Sequence, residues 1–454
     1  MGWLYLWHLR WQDLSVSNQK PTRILVIGGG YVGMYAAFRL QKKLRSTEAQ
    51  ITVVDPQPHM TYKPFLPEAA AGYIEPRHVV VPLRRVLRQC KVVTARVDRV
   101  NHAVRRAWLT TSDGHTSTID YDILVMSPGS IARTLPVPGL AEQGISFQTV
   151  GEAIYLRNHV LSRLDTASTT EDAELRKRLL TFMVVGGGYA GIEVLAELED
   201  MARYALRYHP ELEPAEMRWV LVEATARVMP EVSHKLGVYT VEQLTERGIQ
   251  VFLETRVETM TDGKVRLSDG TEFETGTIVW TAGVKANPML AKTDLPLDAR
   301  GRVRCTTALQ VAGLAGAYSA GDCAGVPDLS KLEEDHNATC SPSAQHAVRQ
   351  AKVLADNVVA GIRGKQVTQY EHKYVGSVAS LGLYKGVADV FGIKLRGPLA
   401  WFMHRTYHLS RMPTFNRKVR VLIDWTEALV LRREVVALGQ INDPKAEFDR
   451  AAAS

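Results

Sequence analysis

Length, composition and charge limit the classes of protein to which this chain can belong. Its 454 residues are too many for one ordinary domain and predict two or three. The apolar share of 46%, the charged share of 23% and a net charge of +7 are typical of a globular protein with a large core. No run of 18 or more apolar residues occurs, so we predict no membrane-spanning helix.

The first 20 residues do not have the pattern of a signal peptide. Polar residues such as His8 and Asp13 interrupt the apolar ones, and no small-residue cleavage site follows. We expect a short N-terminal extension at 1–20.

Cysteine spacing argues against three further classes of protein. The cysteines lie at positions 90, 305, 323 and 340, and no two of them form a C-x-x-C pair. A disulfide framework, a structural metal site or a thiol–disulfide relay needs paired or closely spaced cysteines. We therefore expect reduced thiols in a protein that faces the cytosol, and no metal site.

A glycine-rich turn follows the first predicted strand, residues 23–27, and precedes a predicted helix over 32–45. Its glycines, in G-x-G-x-x-G spacing, are Gly28, Gly30 and Gly33. This order aims backbone N–H groups and a helix dipole at a pyrophosphate. A second strand, ITVVD, ends in Asp55, where a carboxylate would accept hydrogen bonds from adenosine ribose hydroxyls. The pattern predicts a dinucleotide site.

The next segment alternates between strands and a long helix. Residues 92–125 are predicted to be a strand-rich meander, with TTSDGHTS as a hairpin turn. Residues 151–180 are predicted to be helical, and STTEDAEL supplies a helix N-terminal cap inside that stretch.

A second copy of the glycine turn follows the strand at 181–185 and precedes a predicted helix over 190–206. Its glycines are Gly186, Gly188 and Gly191. The next strand, RWVLVE, ends in Glu223, and a carboxylate there favours NADH because it would repel the 2′-phosphate of NADPH. Arg227 lies close behind and would weaken that preference. Two dinucleotide sites in one chain indicate a resident flavin and a nicotinamide that comes and goes.

The chain then returns to the first domain. A helix is predicted near 233–248, a hairpin around LSDGTEFE, and a strand leading into AYSAGDCAG, whose Asp322 would hold oxygens of the flavin's ribityl chain and pyrophosphate. The predicted fold is α/β, with two Rossmann-like dinucleotide-binding domains, the second inserted in the first, and a C-terminal amphipathic membrane-binding region. The predicted domains are an extension at 1–20, an FAD-binding domain at 21–150 and 300–365, an NADH-binding domain at 151–299 and a membrane-associating region at 366–454.

The C-terminal region concentrates positive charge among large apolar residues. Residues 381–433 contain ten Lys or Arg and three Asp or Glu, a net charge of +7 that equals that of the whole chain. Basic and aromatic amphipathic segments suit the surface of an anionic membrane. A dimer-forming helix pair is the alternative, whereas nucleic acid is disfavoured because no recognised nucleic-acid module accompanies the patch.

Taken in order, these motifs resemble those of the type II NADH dehydrogenases, single-subunit flavin NADH:quinone oxidoreductases of the membrane surface. The resemblance covers residues 22 to about 433 and extends to HMTYKPFLPEAAAGYIEPRHVVVPLR, TIVWTAGVKANP, SPSAQHAVRQAKVLADN and GSVASLGLYKGVADVFGIKLRGPLAWFMHRTYHL. It implies hydride transfer from NADH to FAD, then two-electron reduction of menaquinone or ubiquinone, without proton pumping. It also implies a peripheral protein on the cytoplasmic face of the cell membrane, with a homodimer left open.

The resemblance assigns residues to each cofactor. Those implied for FAD are Gly28, Gly30, Gly33, Asp55, Val97, Asp322, Ala344 and Gln345. Those implied for NADH are Gly186, Gly188, Gly191, Glu193, Glu223 and Gly283. Glu193 is also the predicted catalytic residue, although its place at a helix start fits a carboxylate that the helix dipole merely favours.

The acceptor side departs from the family pattern. The residues considered for the quinone are Gln345, His346, Arg349 and Lys385. Arg349 stands where the family usually has Gln, and Pro67 and Glu68 stand where it commonly has Tyr and Gln. The proton donor to the quinone is left open between Glu193, His346 and water. The alternative functions are a soluble NAD(P)H-dependent flavin reductase with another acceptor and a flavin-bound interaction or redox-signalling protein.

Overall fold

The computed structural model describes residues 20–372, 376–438 and 449–451. The chain divides into two compact units, each assembled from discontinuous segments. Unit 1 combines the described residues up to Pro58 with Leu87–Pro128 and Pro288–Tyr370. Unit 2 combines His59–Val86, Gly129–Asn287 and the described residues from Glu371 onward.

Strands and helices alternate along much of the chain. The strands up to the middle of the chain are β1 (Thr22–Ile27), β2 (Ala49–Asp55), β3 (His59–Thr61), β4 (Val80–Pro82), β5 (Lys91–Thr94), β6 (Arg96–Asn101), β7 (Arg106–Thr110), β8 (Thr116–Asp120), β9 (Ile123–Met126), β10 (Ser130–Ala132), β11 (Gly144–Ser146), β12 (Thr181–Val185) and β13 (Arg218–Val222). The later strands are β14 (Gln250–Phe252), β15 (Val257–Thr261), β16 (Lys264–Leu267), β17 (Glu272–Glu274), β18 (Thr277–Trp280), β19 (Val284–Ala286), β20 (Val303–Arg304), β21 (Ala317–Ser319), β22 (Ala324–Gly325), β23 (Gly376–Ser380), β24 (Gly386–Val390) and β25 (Ile393–Arg396). The helices are α1 (Tyr31–Lys43), α2 (Leu66–Ala70), α3 (Leu83–Val86), α4 (Leu140–Gln143), α5 (Val150–Thr169), α6 (Ala173–Leu179), α7 (Tyr189–Ala205), α8 (His234–Glu246), α9 (Ala344–Ile362), α10 (Gly397–Arg411) and α11 (Phe415–Val430).

Unit 1 is organised around a parallel sheet with the strand order β21-β9-β1-β2-β5. In its central strand the run Ile24–Ile27 is wholly buried, as expected for a parallel strand covered on both faces. The predicted meander is present as β6-β7-β8, with the hairpin between β7 and β8 at the predicted turn.

Unit 2 repeats the plan with a parallel sheet in the order β11-β18-β12-β13-β14 and an antiparallel sheet β15-β16-β17. Its predicted long helix over 151–180 is two helices, α5 and α6. Asp172 starts the second by accepting hydrogen bonds from the N–H groups of Glu174 (3.0 Å) and Leu175 (3.1 Å). The predicted cap is thus present, and it separates the two helices.

The last described segment of unit 2 contains a sheet that the sequence analysis did not predict. Strands β23-β24-β25 are antiparallel, and the loop between the last two is formed by Phe391 and Gly392 with φ of +52° and +81°. Positive φ at both positions is typical of a type I′ hairpin turn. Helix α10 packs on this sheet and α11 follows. Within the ranges listed above, no helix is both long and apolar enough to cross a bilayer.

Candidate functional site

The first glycine turn, in unit 1, admits no side chain at two of its positions. Gly28 has φ of +96°, and a Cβ atom there would lie 2.1 Å from the carbonyl oxygen of Ser127. A Cβ on Gly33 would lie 1.7 Å from the carbonyl oxygen of Gly28. The backbone of the glycine-rich turn therefore lies in direct contact with the backbone at the start of α1. No side chain fits between them, so glycine is required at both positions.

The start of α1 is open where a phosphate group would bind. Gly30 is the N-cap residue, no side chain caps the helix, and a Cβ on Gly30 would meet nothing within 4 Å. At the end of β2, the Asp55 carboxylate accepts hydrogen bonds from the N–H groups of Gly29 (2.6 Å) and Gln57 (2.7 Å). An uncapped helix N-terminus beside an anchored carboxylate fits the pyrophosphate and ribose of a dinucleotide.

The second glycine turn, in unit 2, has the same construction. A Cβ on Gly191 would lie 1.8 Å from the carbonyl oxygen of Gly186, and Gly188 is an N-cap residue with open space beside it. The Glu223 carboxylate accepts from the N–H of Gly187 (2.6 Å) and from the N–H and hydroxyl of Thr225 (both 2.8 Å). This turn also fits a dinucleotide.

Two hydroxyl residues that the sequence analysis missed brace these turns. The Ser127 hydroxyl donates to the carbonyl of Ile27 (2.9 Å) at the end of β1. The Thr281 hydroxyl donates to the carbonyl of Val185 (2.9 Å) at the end of β12. Ser127 directly follows β9, and Thr281 directly follows β18. A small hydroxyl residue directly after an apolar strand is the sequence signal that could have revealed both residues. Gly283 lies just beyond, with its N–H bonded to the Thr281 carbonyl (2.8 Å).

The predicted return to the first domain is present in unit 1. Strand β21 joins the parallel sheet beside β9, and Asp322 lies in the following short turn, Gly321–Cys323. The N–H of Gly321 donates to Oε1 of Gln350 (2.7 Å), a side chain on α9 that is 1% exposed. Gln350, which directly follows Arg349 in the sequence, is therefore the residue that ties α9 to this turn.

The predicted acceptor-side residues are divided between the units. Ala344 and Gln345 are the first two residues of α9, and His346, one position on, has its Nδ1 2.9 Å from the hydroxyl of Tyr370, all in unit 1. Lys385 lies in unit 2, in the turn that joins β23 to β24. Val97 is a buried residue of β6 in unit 1.

Helix α7 of unit 2 carries on one face two buried carboxylates, Glu193 and Glu197, and the partly exposed carboxylate of Asp200. Glu193 accepts a hydrogen bond from the N–H of Ser380 (3.0 Å), Glu197 accepts one from the Ser380 hydroxyl (2.8 Å), and Asp200 accepts one from the N–H of Leu383 (2.6 Å). Burial, together with the nearby negative charge of Glu68, raises the pKa of Glu197 to about 7. The loop after β23 therefore docks on an acidic face.

Arg247 holds the end of this acidic face. Its guanidinium pairs with the carboxylates of Glu199 and Asp200 and donates to the carbonyl of Leu381 (2.7 Å). Glu199 is completely buried. The arginine thus neutralises two carboxylates and ties them to the chain beyond β23.

The departure at Glu68 has a structural partner in α10. The Glu68 carboxylate accepts from Nη2 of Arg405 (2.8 Å) and from the indole N–H of Trp425 (2.7 Å), and all three residues are buried. The Arg405 guanidinium also lies 4.1 Å from the ring centroid of Trp401. Pro67 occupies the first turn of α2, where a proline suits a helix. The departure at Glu68 therefore holds α2 to the two C-terminal helices.

The four cysteines are free thiols. Burial raises the pKa of Cys90 to about 12 and that of Cys340 to about 11, so neither is an activated nucleophile. No group of three His, Cys, Asp or Glu residues able to hold a metal ion is found in the part of the chain that the structure describes.

Helix α11 presents an apolar stripe outward. The stripe consists of residues spaced along one side of the helix, each at least 36% exposed: Phe415, Val419, Leu422, Ile423, Leu429 and Val430. Only Val421 and Trp425 of this helix are buried. Arg417, Lys418 and Arg420 lie on the same helix, so exposed apolar and basic side chains occur together.

The fold and the two turns define the class of protein. The profile of the family described as "Pyridine nucleotide-disulphide oxidoreductase" matches residues 22–351. The chain belongs to that family.

Within the family, the relatives narrow the comparison. The chain is 27% identical to the type II NADH:quinone oxidoreductase Ndh of Mycobacterium tuberculosis, with 93% of this chain and 91% of the relative covered. It is 29% identical to the internal alternative NAD(P)H-ubiquinone oxidoreductase A1 of Solanum tuberosum mitochondria, covering 94% and 90%. The predicted resemblance to the type II NADH dehydrogenases is confirmed.

Solved structures support the same fold. NDH2 from Plasmodium falciparum in complex with NADH has a TM-score of 0.84 at 17% identity, covering 92% of this chain and all of that one. The sulfide:quinone oxidoreductase of Aquifex aeolicus has a TM-score of 0.67 at 16% identity, covering 91% and 96%. At these identities the likeness concerns the fold, and the predicted α/β class is confirmed.

Proposed function

We propose that this chain is a type II NADH:quinone oxidoreductase, which transfers a hydride from NADH to bound FAD and two electrons onward to a quinone without pumping protons. The observation that carries the proposal is the pair of glycine turns, each leading into an uncapped helix and each completed by an anchored carboxylate. They occur in a chain similar to such an enzyme over 93% of its length.

Unit 1 is the unit proposed to hold FAD. The residues proposed to contact it are Gly28, Gly30, Gly33, Asp55, Val97, Asp322, Ala344 and Gln345. When bound, FAD supplies a centre that accepts a hydride and passes its electrons on. The N–H groups at the start of α1 bind pyrophosphate oxygens, and Asp55 binds ribose hydroxyls. Gln350 keeps the turn that carries Asp322 in place.

Unit 2 is the unit proposed to bind NADH. The residues proposed to contact it are Gly186, Gly188, Gly191, Glu193, Glu223 and Gly283. Glu223 favours a free 2′-hydroxyl. Arg227, which would favour a 2′-phosphate, donates instead to the carbonyl of Val232 (2.5 Å). This engagement supports NADH as the preferred donor.

The chain's contribution to the reaction is to bind, orient and supply charge. Holding donor and acceptor in a reactive arrangement removes the entropic cost of their encounter. Gln345, His346, Arg349 and Lys385 are proposed to face the quinone, whose class is menaquinone or ubiquinone.

A stopped-flow experiment tests the function. The purified protein, loaded with FAD, is mixed with NADH without oxygen and then with a water-soluble short-chain quinone. We expect rapid bleaching of the flavin absorbance, followed by its recovery with the quinone. If NADH bleaches the flavin but the quinone does not restore its absorbance, the protein is an NADH-dependent flavin reductase with another acceptor. If NADH does not bleach the flavin, NADH is excluded as the donor.

The apolar stripe of α11 is proposed to attach the protein peripherally to an anionic membrane, at the cytoplasmic face. Its exposed side chains insert into the interface while neighbouring basic residues meet lipid headgroups. The free thiols of the cysteines accord with a reducing compartment. The competing use of the stripe is a contact between two copies of the chain.

Liposome flotation separates these two uses. The stripe is weakened in the full chain by Leu422→Ser, Ile423→Ser and Leu429→Ser together, with Val104→Ser as the control for an exposed apolar residue in unit 1. Each lost apolar contact costs about 1–2 kcal/mol, so binding to anionic vesicles should fall roughly a hundredfold or more. If the triple variant floats as the parent does but sediments as a monomer where the parent sediments as a dimer, the stripe forms a contact between two copies of the chain.

A further inference from the structure

The reaction of the proposed function needs a proton that NADH does not provide. NADH loses two electrons and one hydrogen nucleus as a hydride, whereas the quinol gains two electrons and two protons. One additional proton must therefore be delivered in each turnover. The sequence analysis left its source open between Glu193, His346 and water.

A buried histidine that the sequence analysis did not consider lies against Glu193. Nε2 of His404, on α10, is 3.1 Å from Oε1 of Glu193. His404 is 1% exposed and Glu193 is 7% exposed. A carboxylate and an imidazole at this distance, shielded from water, form a pair that binds one proton between them.

The imidazole is not held by the kind of hydrogen bond that fixes a structural histidine. Among the described residues, neither ring nitrogen of His404 has a hydrogen bond of good geometry. By contrast, Nε2 of His159 lies 3.0 Å from both the Gly276 carbonyl and the Thr277 hydroxyl. Since the polar contact of His404 is with a carboxylate, its protonation can change without breaking a backbone bond.

Several elements packed around the pair contribute charged side chains. The surrounding titratable and charged groups are Glu197 and Asp200 of α7, Glu68 of α2, Arg405 and His408 of α10, Arg247 after α8, and Arg433 after α11. Burial lowers the pKa of His404, but Glu193, Glu68 and Glu197 raise it by more, so its pKa lies above the ordinary value. The surrounding carboxylates therefore favour the protonated form of His404.

A route toward solvent continues along α10. His408 lies one turn after His404, with 4.6 Å between the two ring centroids, and is partly exposed. Burial, and the charge that His404 carries when protonated, lower the pKa of His408, so between the two rings the proton resides on His404.

We propose that His404 and Glu193 share one proton and that this pair supplies it for quinone reduction, with His404 as a positioning residue that acts through Glu193. The proposal rests on the function proposed above. The N–H bond at Nε2 of His404 breaks as an O–H bond forms on Glu193, and that O–H bond breaks as one forms on a quinone oxygen. The hydride from NADH supplies both electrons and the other hydrogen, and solvent returns a proton to the pair.

The kinetic test compares three full-length, FAD-loaded variants with the parent chain. His404→Gln removes the titrating ring, and Glu193→Gln removes the carboxylate. His159→Gln is the control, a partly buried histidine of unit 2 whose hydrogen bonds are to a carbonyl and a hydroxyl. Bleaching by NADH and reoxidation by a short-chain quinone are measured separately from pH 5 to 9. The ratio of the two rates reports proton delivery.

In His404→Gln we expect reoxidation to slow by roughly tenfold or more relative to bleaching, since a positioned proton donor contributes that much or more. The falling limb of its pH profile should move to lower pH, because one site holds a proton less tightly than two sites that share it. His159→Gln should keep the parent profile. A parent-like profile in His404→Gln, with a shifted one in Glu193→Gln, would overturn the role of His404.

An infrared measurement keeps the proposal testable if His404→Gln fails to fold. In the parent protein, with histidine rings labelled by ¹³C, a pH titration of the oxidised enzyme should show an imidazole band change that Glu193→Gln removes. Persistence of that change in Glu193→Gln would refute the shared proton. Because this readout needs no turnover, failure of quinone reduction in the parent would count against the proposed function and leave the pair to be judged by the infrared titration.

Discussion

The two glycine turns lead into helices of different character. The turns themselves are alike. A Cβ atom on Gly33 would lie 1.7 Å from the carbonyl oxygen of Gly28, and a Cβ atom on Gly191 would lie 1.8 Å from that of Gly186. Beyond the first helical turn the likeness ends. At the same offset of 158 residues, Glu193 and Glu197 of α7 correspond to Tyr35 and Arg39 of α1.

The different residues have different surroundings. Arg39 forms a half-exposed ion pair with Asp356 on α9, whereas Glu193 and Glu197 are buried beneath Ser380 and the chain that follows β23. The comparison shows that nucleotide binding constrains only the start of the helix. The rest of α7 carries buried titratable groups, whereas the rest of α1 packs on α9 and forms a partly exposed ion pair with it.

The largest effects should come from blocking each turn. Gly33→Val and Gly191→Val place a side chain on a backbone oxygen, which costs about 3 kcal/mol or more locally. We expect Gly33→Val to purify with little flavin, and Gly191→Val to keep flavin that NADH no longer bleaches. Absorbance spectra and stopped-flow traces measure both. Gly151→Ala, where a Cβ has room, is the control, and full flavin in Gly33→Val would remove the first turn from the FAD site.

A second comparison uses the arginines that anchor the two helices. Arg247→Ala leaves Asp200 without its ion-pair partner and leaves the completely buried Glu199 paired only with the partly exposed Arg203, which should cost about 3 kcal/mol. Arg39→Ala breaks a half-exposed pair and should cost about 1 kcal/mol or less. Thermal denaturation of the FAD-loaded protein measures both. Equal losses of stability would show that the Arg247 ion pairs stabilise the protein no more than the Arg39 ion pair does.

The pH dependence of stability should differ through Glu197. Its pKa is about 7 in the folded protein and near 4.5 when unfolded, so the stability that protonation provides is complete below pH 4.5 and is lost as the pH rises through 7. Glu197→Gln should therefore gain roughly 2–3 kcal/mol over the parent between pH 5 and pH 8. Glu242→Gln, an exposed change on α8, should run parallel to the parent. Parallel curves for Glu197→Gln as well would mean that Glu197 stays ionised.

The smallest effect concerns the acidic residues that complete the turns. Glu223→Ser should raise the ratio of kcat/KM for NADPH to that for NADH by about tenfold, because the carboxylate no longer repels a 2′-phosphate. Asp55→Ser, the corresponding change in unit 1, should weaken flavin retention and leave that ratio unchanged. Steady-state kinetics with both nucleotides decide between them. If the NADPH-to-NADH ratio of kcat/KM changes only in Asp55→Ser, the first turn binds the nicotinamide cofactor and the second binds FAD.

Local spacing made much of this molecule predictable. Gly28 and Gly186 were found because a few adjacent residues define the whole turn. Ser127 and Thr281 were missed because each acts across a sheet, about 100 residues from the turn that it braces.

Long-range partners account for the remaining differences. The Glu68–Arg405 pair joins residues 337 positions apart, and the Glu193–His404 contact joins α7 to α10, so neither has a local signal. The sheet β23-β24-β25 was overlooked because its basic and aromatic residues satisfied the pattern of a membrane-surface segment. The only local sequence feature of its β24–β25 hairpin is the dipeptide Phe391–Gly392, in which only the second residue is typical of a tight turn.

The discontinuity of unit 2 has a consequence for how the protein is made. Unit 1 draws its last segment from Pro288–Tyr370, whereas unit 2 also needs residues from Glu371 onward to cover Glu193 and Glu197. On a ribosome adding about 5–20 residues per second, the roughly 40 residues from Glu371 to the end of α10 take about 2–8 s to be added after the last segment of the first unit. During that interval the acidic face of α7 is open to water and to chaperones. A chain truncated after residue 370 and released from the ribosome should therefore contain all the segments of the first unit and an unsealed second unit.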